Sequence, residues 1–307
     1  MSAGPLLAAQ ERSGLLLGIG QISLDRVVRV EQLPAPGEKR RVLSERSLPG
    51  GQVATALLAA SRLGVRCAFV GAIGDDAAGA RALAPLADAG IGLDHLLCLA
   101  GSASREAWVL VDEQSGERSI LERRPAALQL PVPPLPTEEL AASALLLLDL
   151  EYPAAADWAL EQSGAHGVPA LVDADRVSGR ALELLRQAEF PIVSETFAKE
   201  LGLGSASETL AALWGPRTRL AVLTRGERGS LARHGEHLIE TPALATRVVD
   251  TTGAGDVFRG AFAWALLAGR GPQEVLAWAN AAAALSCRGP GAQGALPTRS
   301  EVESRLR

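Results

Sequence analysis

The sequence predicts an α/β protein: a mostly parallel sheet flanked by helices, with a small β-sheet projecting from it. Three observations carry this. Short apolar runs alternate with helix-like segments along most of the chain, and strands that alternate with helices pair in parallel. Residues 106–111 and 118–121 break that alternation, because two strand-like runs are joined there by a polar turn with no helix between them. Finally, the glycine-rich stretch Asp250-Thr-Thr-Gly-Ala-Gly-Asp256 lies between a strand-like run at 244–249 and a helix-like run at 257–267.

Composition narrows the class. Of the 307 residues, 48% are hydrophobic and 21% charged, which is the balance of a globular protein with a large core. A net charge of −5 gives no overall basic field for nucleic acid. Three unclustered cysteines, Cys67, Cys98 and Cys287, argue against a disulfide framework or a zinc cluster. Residues 1–14 lack the basic and apolar segments of a secretion signal, and the strongest apolar run, 144–148, is too short to cross a membrane. The expectation is a cytoplasmic protein with no membrane partner, folded as a single domain over 1–307.

In chain order, residues 14–20 read as a buried first strand, with Gln21, Ser23 and Asp25 at its C-terminal end. Ligands of open parallel sheets sit outside such ends, which makes Ser23 and Asp25 candidate contacts; a turn residue is the other reading of Asp25. Pro49-Gly50-Gly51 opens a helix over 52–63 that Gly64 caps. The glycine pair permits close approach of a ligand, and Gln52 and Thr55 would offer hydrogen bonds to hydroxyls. A strand at 67–70 and a helix at 77–89 follow. The stretches at about 26–47 and 104–124 are expected to form the projecting sheet, a lid that excludes water. Pro131 to Pro136 marks the return to the core. Strands at 145–151, 170–173, 191–194 and 220–226 alternate with helices, a hairpin turns at 234–236, and helices at 272–287 and 300–306 close the chain.

The Asp250 to Asp256 turn carries the chemistry. Helix-initial N–H groups have no partner inside the helix and sit at the positive end of its dipole, so Gly253, Ala254 and Gly255 would present backbone donors to an anion. An acid at that mouth, Asp256, is either a helix cap or a catalytic base that accepts a hydroxyl proton during phosphoryl transfer. Neither lysine, Lys39 or Lys199, follows a glycine, so the P-loop design is excluded. The Gly289, Gly291, Gly294 spacing follows a helix and not a strand, so it reads as a loop and not a dinucleotide fingerprint.

With Pro49-Gly-Gly51, Thr224-Arg-Gly226 and Asp250-Thr-Thr-Gly-Ala-Gly-Asp256 together, the chain resembles the ribokinase family of carbohydrate kinases, also called the PfkB family, from about Gly14 to Arg299. The resemblance implies a three-layer, doubly wound core with a β-lid, and transfer of the ATP γ-phosphoryl group to a sugar hydroxyl with Mg²⁺. It implies Asp256 as base and the Gly253 to Gly255 amides as anion hole. Asp25, Gly50 and Gly51 match sugar contacts, as do Glu151 and, in a ketohexokinase-like reading, Arg118. Ser194, Thr224, Gly226 and Gly229 match nucleotide positions, and Asn280 lies on the helix that flanks adenine. Asp250 and Thr252 stand where many members hold a monovalent cation such as K⁺. Thr55 replaces the family's sugar-binding Asn. Ser194-Glu-Thr-Phe-Ala-Lys199 replaces an Asn-x-x-Glu motif and resembles the ketohexokinase segment instead. The resemblance leaves three readings: a ketose or related sugar kinase, a nucleoside or sugar-phosphate kinase, or a catalytically weak sugar-binding regulator. An exposed lid face would be covered in a homodimer.

Overall fold

The computed structural model describes residues 4–7, 14–115, 118–132 and 136–307. Most of the leading segment and residues 133–135 of the expected return to the core lie outside the described residues, as does the side chain of Arg118. The chain runs β1 (Leu15–Ile19), β2 (Ser23–Val30), β3 (Val42–Gly50), α1 (Gln52–Arg62), β4 (Arg66–Gly74), α2 (Ala77–Asp88), β5 (Gly92–Leu99), β6 (Glu106–Asp112), β7 (Arg118–Arg123) and α3 (Thr137–Ala142). It continues β8 (Leu145–Leu148), α4 (Pro153–His166), β9 (Ala170–Ala174), α5 (Ala181–Leu185), β10 (Phe190–Ser194), α6 (Glu195–Leu201), α7 (Ala206–Ala212), β11 (Ala221–Thr224), β12 (Ser230–His234) and β13 (His237–Thr241). Three helices end it: α8 (Ala254–Leu267), α9 (Pro272–Ser286) and α10 (Arg299–Leu306).

Among the described residues the large sheet has the order β13-β12-β11-β10-β9-β8-β1-β4-β5. It is parallel from β11 to β5, while the hairpin β12–β13 adds an antiparallel edge. The chain leaves β1 toward β4 on one side and returns to β8 on the other. Strand order therefore reverses at β1, and the crevice outside the carboxyl ends of β1, β4 and β8 is where such a sheet binds ligands.

Successive residues of a strand face opposite layers, and the apolar residues follow this rule. Leu16, Leu145, Leu147, Phe190 and Ile192 pack with α1, α8 and α9. Leu17, Leu146, Leu148, Val172 and Val193 pack with α4, α5, α6 and α7 on the other face. Strands buried on both faces need continuous apolar runs, which is why β1 and β8 are almost entirely leucine. Helix α8 is the most enclosed helix, with ten buried residues among its fourteen. Phe262 stands between Phe190, 6.0 Å away edge-on, and Phe258, 6.1 Å away. Phe262→Ala is expected to lower stability by about 3–5 kcal/mol through lost burial and a residual cavity, read as a drop in the urea midpoint at constant slope.

The small sheet has the order β3-β2-β6-β7. Its outer pairs are antiparallel, including the expected β6–β7 hairpin, and its middle pair β2–β6 is parallel. Three features differ from the sequence expectation. Residues 244–249 form no strand; the chain runs irregularly from β13 to α8, and Val249 N–H donates to the Cys287 carbonyl at the end of α9. Val248 and Val249 are exposed, so their β-branched character reflects no sheet position. Strand β5, with mixed polarity at the sheet edge, carries no clear apolar alternation and was not foreseen. Helix α8 begins at Ala254, three residues earlier than its apolar run.

Candidate active site

Gly253 is the N-cap of α8, with φ 74° and ψ 0°, a left-handed conformation that non-glycine residues avoid. A Cβ on it would lie 2.5 Å from Ala292 Cβ, because the loop after α9 packs directly on the turn. The same loop fixes Asp250: its carboxylate accepts from Thr252 N–H at 2.9 Å and from Gly291 N–H at 2.8 Å. The glycine spacing at 289–294 is thus a loop, as read, and it braces the anion turn.

Among the described residues no acceptor takes the amides of Gly253, Gly255 or Asp256, the donors that a helix start leaves open. Ala254 corrects the sequence expectation. Its N–H is spent on the Thr251 carbonyl at 3.2 Å, so the third open donor is Asp256 itself. A left-handed cap folds the preceding carbonyl back over the turn, which sequence spacing does not reveal.

The Asp256 side chain is 15% exposed, and burial pushes its carboxyl well above the usual carboxylate range. Arg259 opposes that shift, while Asp173, Asp175 and Asp25 reinforce it. Arg259, one turn after Asp256 on α8, is buried. It is 4% exposed, ion-paired with Asp173 at the end of β9, and its Nη1 lies 3.7 Å from Asp256 Oδ1.

Asp25, on β2, accepts from Ser23 Oγ at 3.0 Å, and burial raises its carboxyl to about 6. Gly50 pairs with Ser23 across β2–β3, and a Cβ on it would overlap the Asp25 carboxylate. Gly51, at φ 99°, has no room for a Cβ against Ile22 Cα. The two glycines thus hold the first strand's exit and α1 together around Asp25. Gln52 accepts from Gln21 Nε2 at 3.3 Å. Thr55 is fully buried and accepts from Gln293 Nε2 at 3.2 Å, so it is tied to the loop that braces the anion turn. Glu151 pairs with Arg105 and, at 3.2 Å, with Arg124, linking the core to the small sheet. The backbone of Arg118, in β7, pairs with Val111 of β6.

The nucleotide candidates gather at the ends of β10 and β11, where Ser194 and Thr224 are register partners. Ser194 Oγ caps α6 by accepting from Phe197 N–H at 3.2 Å, and Thr224 Oγ1 donates to the Val193 carbonyl at 3.3 Å. Gly226 and Gly229 both have positive φ and turn the chain tightly between β11 and β12. Asn280 is 5% exposed and its amide nitrogen donates to Ser230 Oγ and to the Thr241 carbonyl, so it locks α9 to the β12–β13 edge. Its amide nitrogen is thus engaged inside the protein, on the helix expected to flank the adenine.

Sequence reasoning missed Asp149, Asp173, Arg105 and Gln293. Asp149 is 2% exposed, accepts from the Gln21 and Glu151 amides, and is pushed up to about 7 by burial. Both aspartates follow or end apolar runs at carboxyl ends of strands, a positional signal present in the sequence. Arg105 and Gln293 had none.

A cleft of about 840 Å³ lies between the small sheet and the anion turn, lined by Val27, Arg46, Leu48, Val109, Asp250 and Thr252 among others. A doubly wound sheet, a helix start with open amides beside a buried carboxylate, and a small sheet closing over the crevice together define an ATP-dependent carbohydrate kinase. The chain belongs to the pfkB family carbohydrate kinases, whose model matches residues 14–299.

Similarity to individual proteins is spread over the whole length. Ribokinase of Bacillus subtilis is 31% identical over 291 residues, covering 94% of this chain and 98% of that protein. Fructokinase-1 of Oryza sativa subsp. japonica is 27% identical, covering 95% and 97%. The structure of Arabidopsis thaliana ribokinase complexed with ribose and ATP superposes with a TM-score of 0.83 at 27% identity, covering 95% and 98%. No helix among the described residues is long and apolar enough to cross a membrane.

Proposed function

We propose that the protein transfers the γ-phosphoryl group of ATP to a hydroxyl of a sugar, in the cytoplasm. The observation that carries this is the pairing of three open amides, those of Gly253, Gly255 and Asp256, with the Asp256 carboxylate across from Asp25. The acceptor hydroxyl is held by Asp25 and the Gly50–Gly51 backbone. Asp256 takes its proton as the acceptor oxygen bonds to the γ-phosphorus, the bond from that phosphorus to the β–γ bridging oxygen breaks, and ADP leaves. The open amides compensate negative charge on the transferring group. Ser194, Thr224, Gly226 and Gly229 line the nucleotide side.

Among the described residues no group of three or more His, Cys, Asp or Glu side chains is arranged to hold a metal. Mg²⁺ would be held by the nucleotide phosphates, the usual arrangement for this hard, strongly hydrated ion. Asp250 and Thr252 are the positions proposed for K⁺. A homodimer would cover one face of the small sheet, whose exposed apolar side chains are Val42, Leu43, Ile120 and Leu121.

A specific observation favours a second reading, an acceptor that already carries a phosphate or carboxylate. Arg46, on β3, lines the cleft, and its side chain has no ion-pair or hydrogen-bond partner among the described residues. A panel of pentoses, ketoses, nucleosides and sugar phosphates, followed by ADP release, decides between the two. Neutral sugars turning over best support the first reading, and Arg46→Gln raising KM for a sugar phosphate alone supports the second. Absence of turnover on all of them, with binding retained, would leave only a sugar-binding regulator. Running the panel in K⁺ and in Na⁺, on protein sized by sedimentation, tests the cation and the dimer.

A further inference from the structure

Arg259 is out of place for a helix residue three positions after a catalytic carboxylate. Its side chain is 5% exposed, and its guanidinium is ion-paired with Asp173, which is 2% exposed. No other hydrogen-bond donor reaches the Asp173 carboxylate among the described residues. Replacing a buried ion pair with apolar residues of similar volume is often neutral or stabilising, so stability alone does not account for the pair. Its position suggests what it does instead. Residues three apart on a helix are neighbours, and Arg259 Nη1 reaches back to within 3.7 Å of Asp256 Oδ1. The same Nη1 occupies space 2.6 Å from where a Cβ on Gly255 would stand, so it also lies against the anion turn.

We propose that Arg259, anchored by Asp173, is a positioning residue that aims the Asp256 carboxylate and braces the Gly255 end of the anion turn. The pair joins the end of β9 to the first turns of α8, the two elements whose separation sets where the base stands. The charges around Asp256 explain the need for it. Asp25 faces Asp256 from β2, Asp173 and Asp175 from the end of β9 and the turn after it, and Asp149, at the end of β8, acts on Asp173. Asp25, Asp173 and Asp175 each disfavour a charged base. Arg105 acts on Asp25 and Asp149, and Arg259 is the cation that acts on Asp256 itself.

The inference rests on Asp256 being the base, and the test separates the two. The ionisation of Asp256 is followed by carboxyl ¹³C NMR on protein labelled at aspartate, its resonance assigned by loss in Asp256→Asn. Arg259→Gln is expected to move the Asp256 titration to higher pH. Asp173→Asn removes a neighbouring negative charge but also frees Arg259 from its anchor, so it should move the titration less than Arg259→Gln while still lowering kcat. Arg259→Lys should fall between wild type and Arg259→Gln, and it serves where Arg259→Gln does not fold. With an active acceptor, Arg259→Gln should lose about 10- to 100-fold in kcat at neutral pH, with KM for ATP little changed and part of the loss recovered at higher pH. An unmoved titration in both arginine variants, or wild-type kcat in Asp173→Asn, overturns the proposal. If no acceptor is turned over but the titration order holds, the kinase reading fails and the positioning role survives. If turnover is found and the order fails, only the positioning role falls.

Discussion

Asp256→Asn is expected to lower kcat by three or more orders of magnitude on the acceptor that wild type prefers, with the nucleotide KM changed by only a few-fold. Proton acceptance by a placed base is worth about 10²- to 10⁴-fold, and the substitution also alters the group beside the open amides. Asparagine keeps the size of the side chain and the helix start, so folding should persist. The pH dependence carries a sign. Because burial raises the Asp256 carboxyl well above its ordinary value, much of the base is protonated in acid, and wild-type kcat/KM should climb as pH rises through that raised value. The variant should lack this limb. Near wild-type turnover in Asp256→Asn, measured by coupled ADP release, would remove the base assignment.

Gly253→Ala should have the next largest effect, through backbone alone. A left-handed residue with a side chain costs about 1–2 kcal/mol, and here the new Cβ also meets Ala292 Cβ at 2.5 Å and Ala292 Cα at 2.6 Å. Relief of that contact must shift the turn and with it the amides of Gly253, Gly255 and Asp256. Losing one such donor typically costs about 10²- to 10³-fold, so kcat should fall by at least about 100-fold. Gly90→Ala is the control: Gly90 has φ 69° but nothing within 4 Å of a new Cβ. It should lose only the conformational cost, seen as a lowered melting temperature, and keep full kcat. Equal kinetic losses in the two variants would mean that the anion turn has no special role.

How much of this was legible depends on range. The alternation of buried strands and helices announced the parallel sheet because each apolar run in a sheet covered on both faces must be apolar throughout. Residues 244–249 misled for the same reason in reverse: Val248 and Val249 look like strand residues but are exposed, and only the contact with Cys287 shows the chain running as a connection there. The exchange of Ala254 for Asp256 among the open donors turned on one φ angle, which glycine permits but does not dictate. Asn280 was placed on its helix correctly, yet whether its amide faces a ligand or the β12–β13 edge depends on how α9 rotates against the sheet.

By itself, the sequence determined the parallel α/β core, the projecting hairpin, the glycine turn at the start of α8 and the acid within it. These are local in origin: they follow from hydrophobic period, from glycine at strained backbone positions and from the open amides of any helix start. Tertiary structure alone decided the company Asp256 keeps. Asp25 arrives from β2, Asp173 from β9 and Arg259 from a turn along its own helix, and their burial together sets the charge of the base. Electrostatics in a water-poor site depends on distances between elements far apart in the chain, and folding fixes those distances only when the layers close.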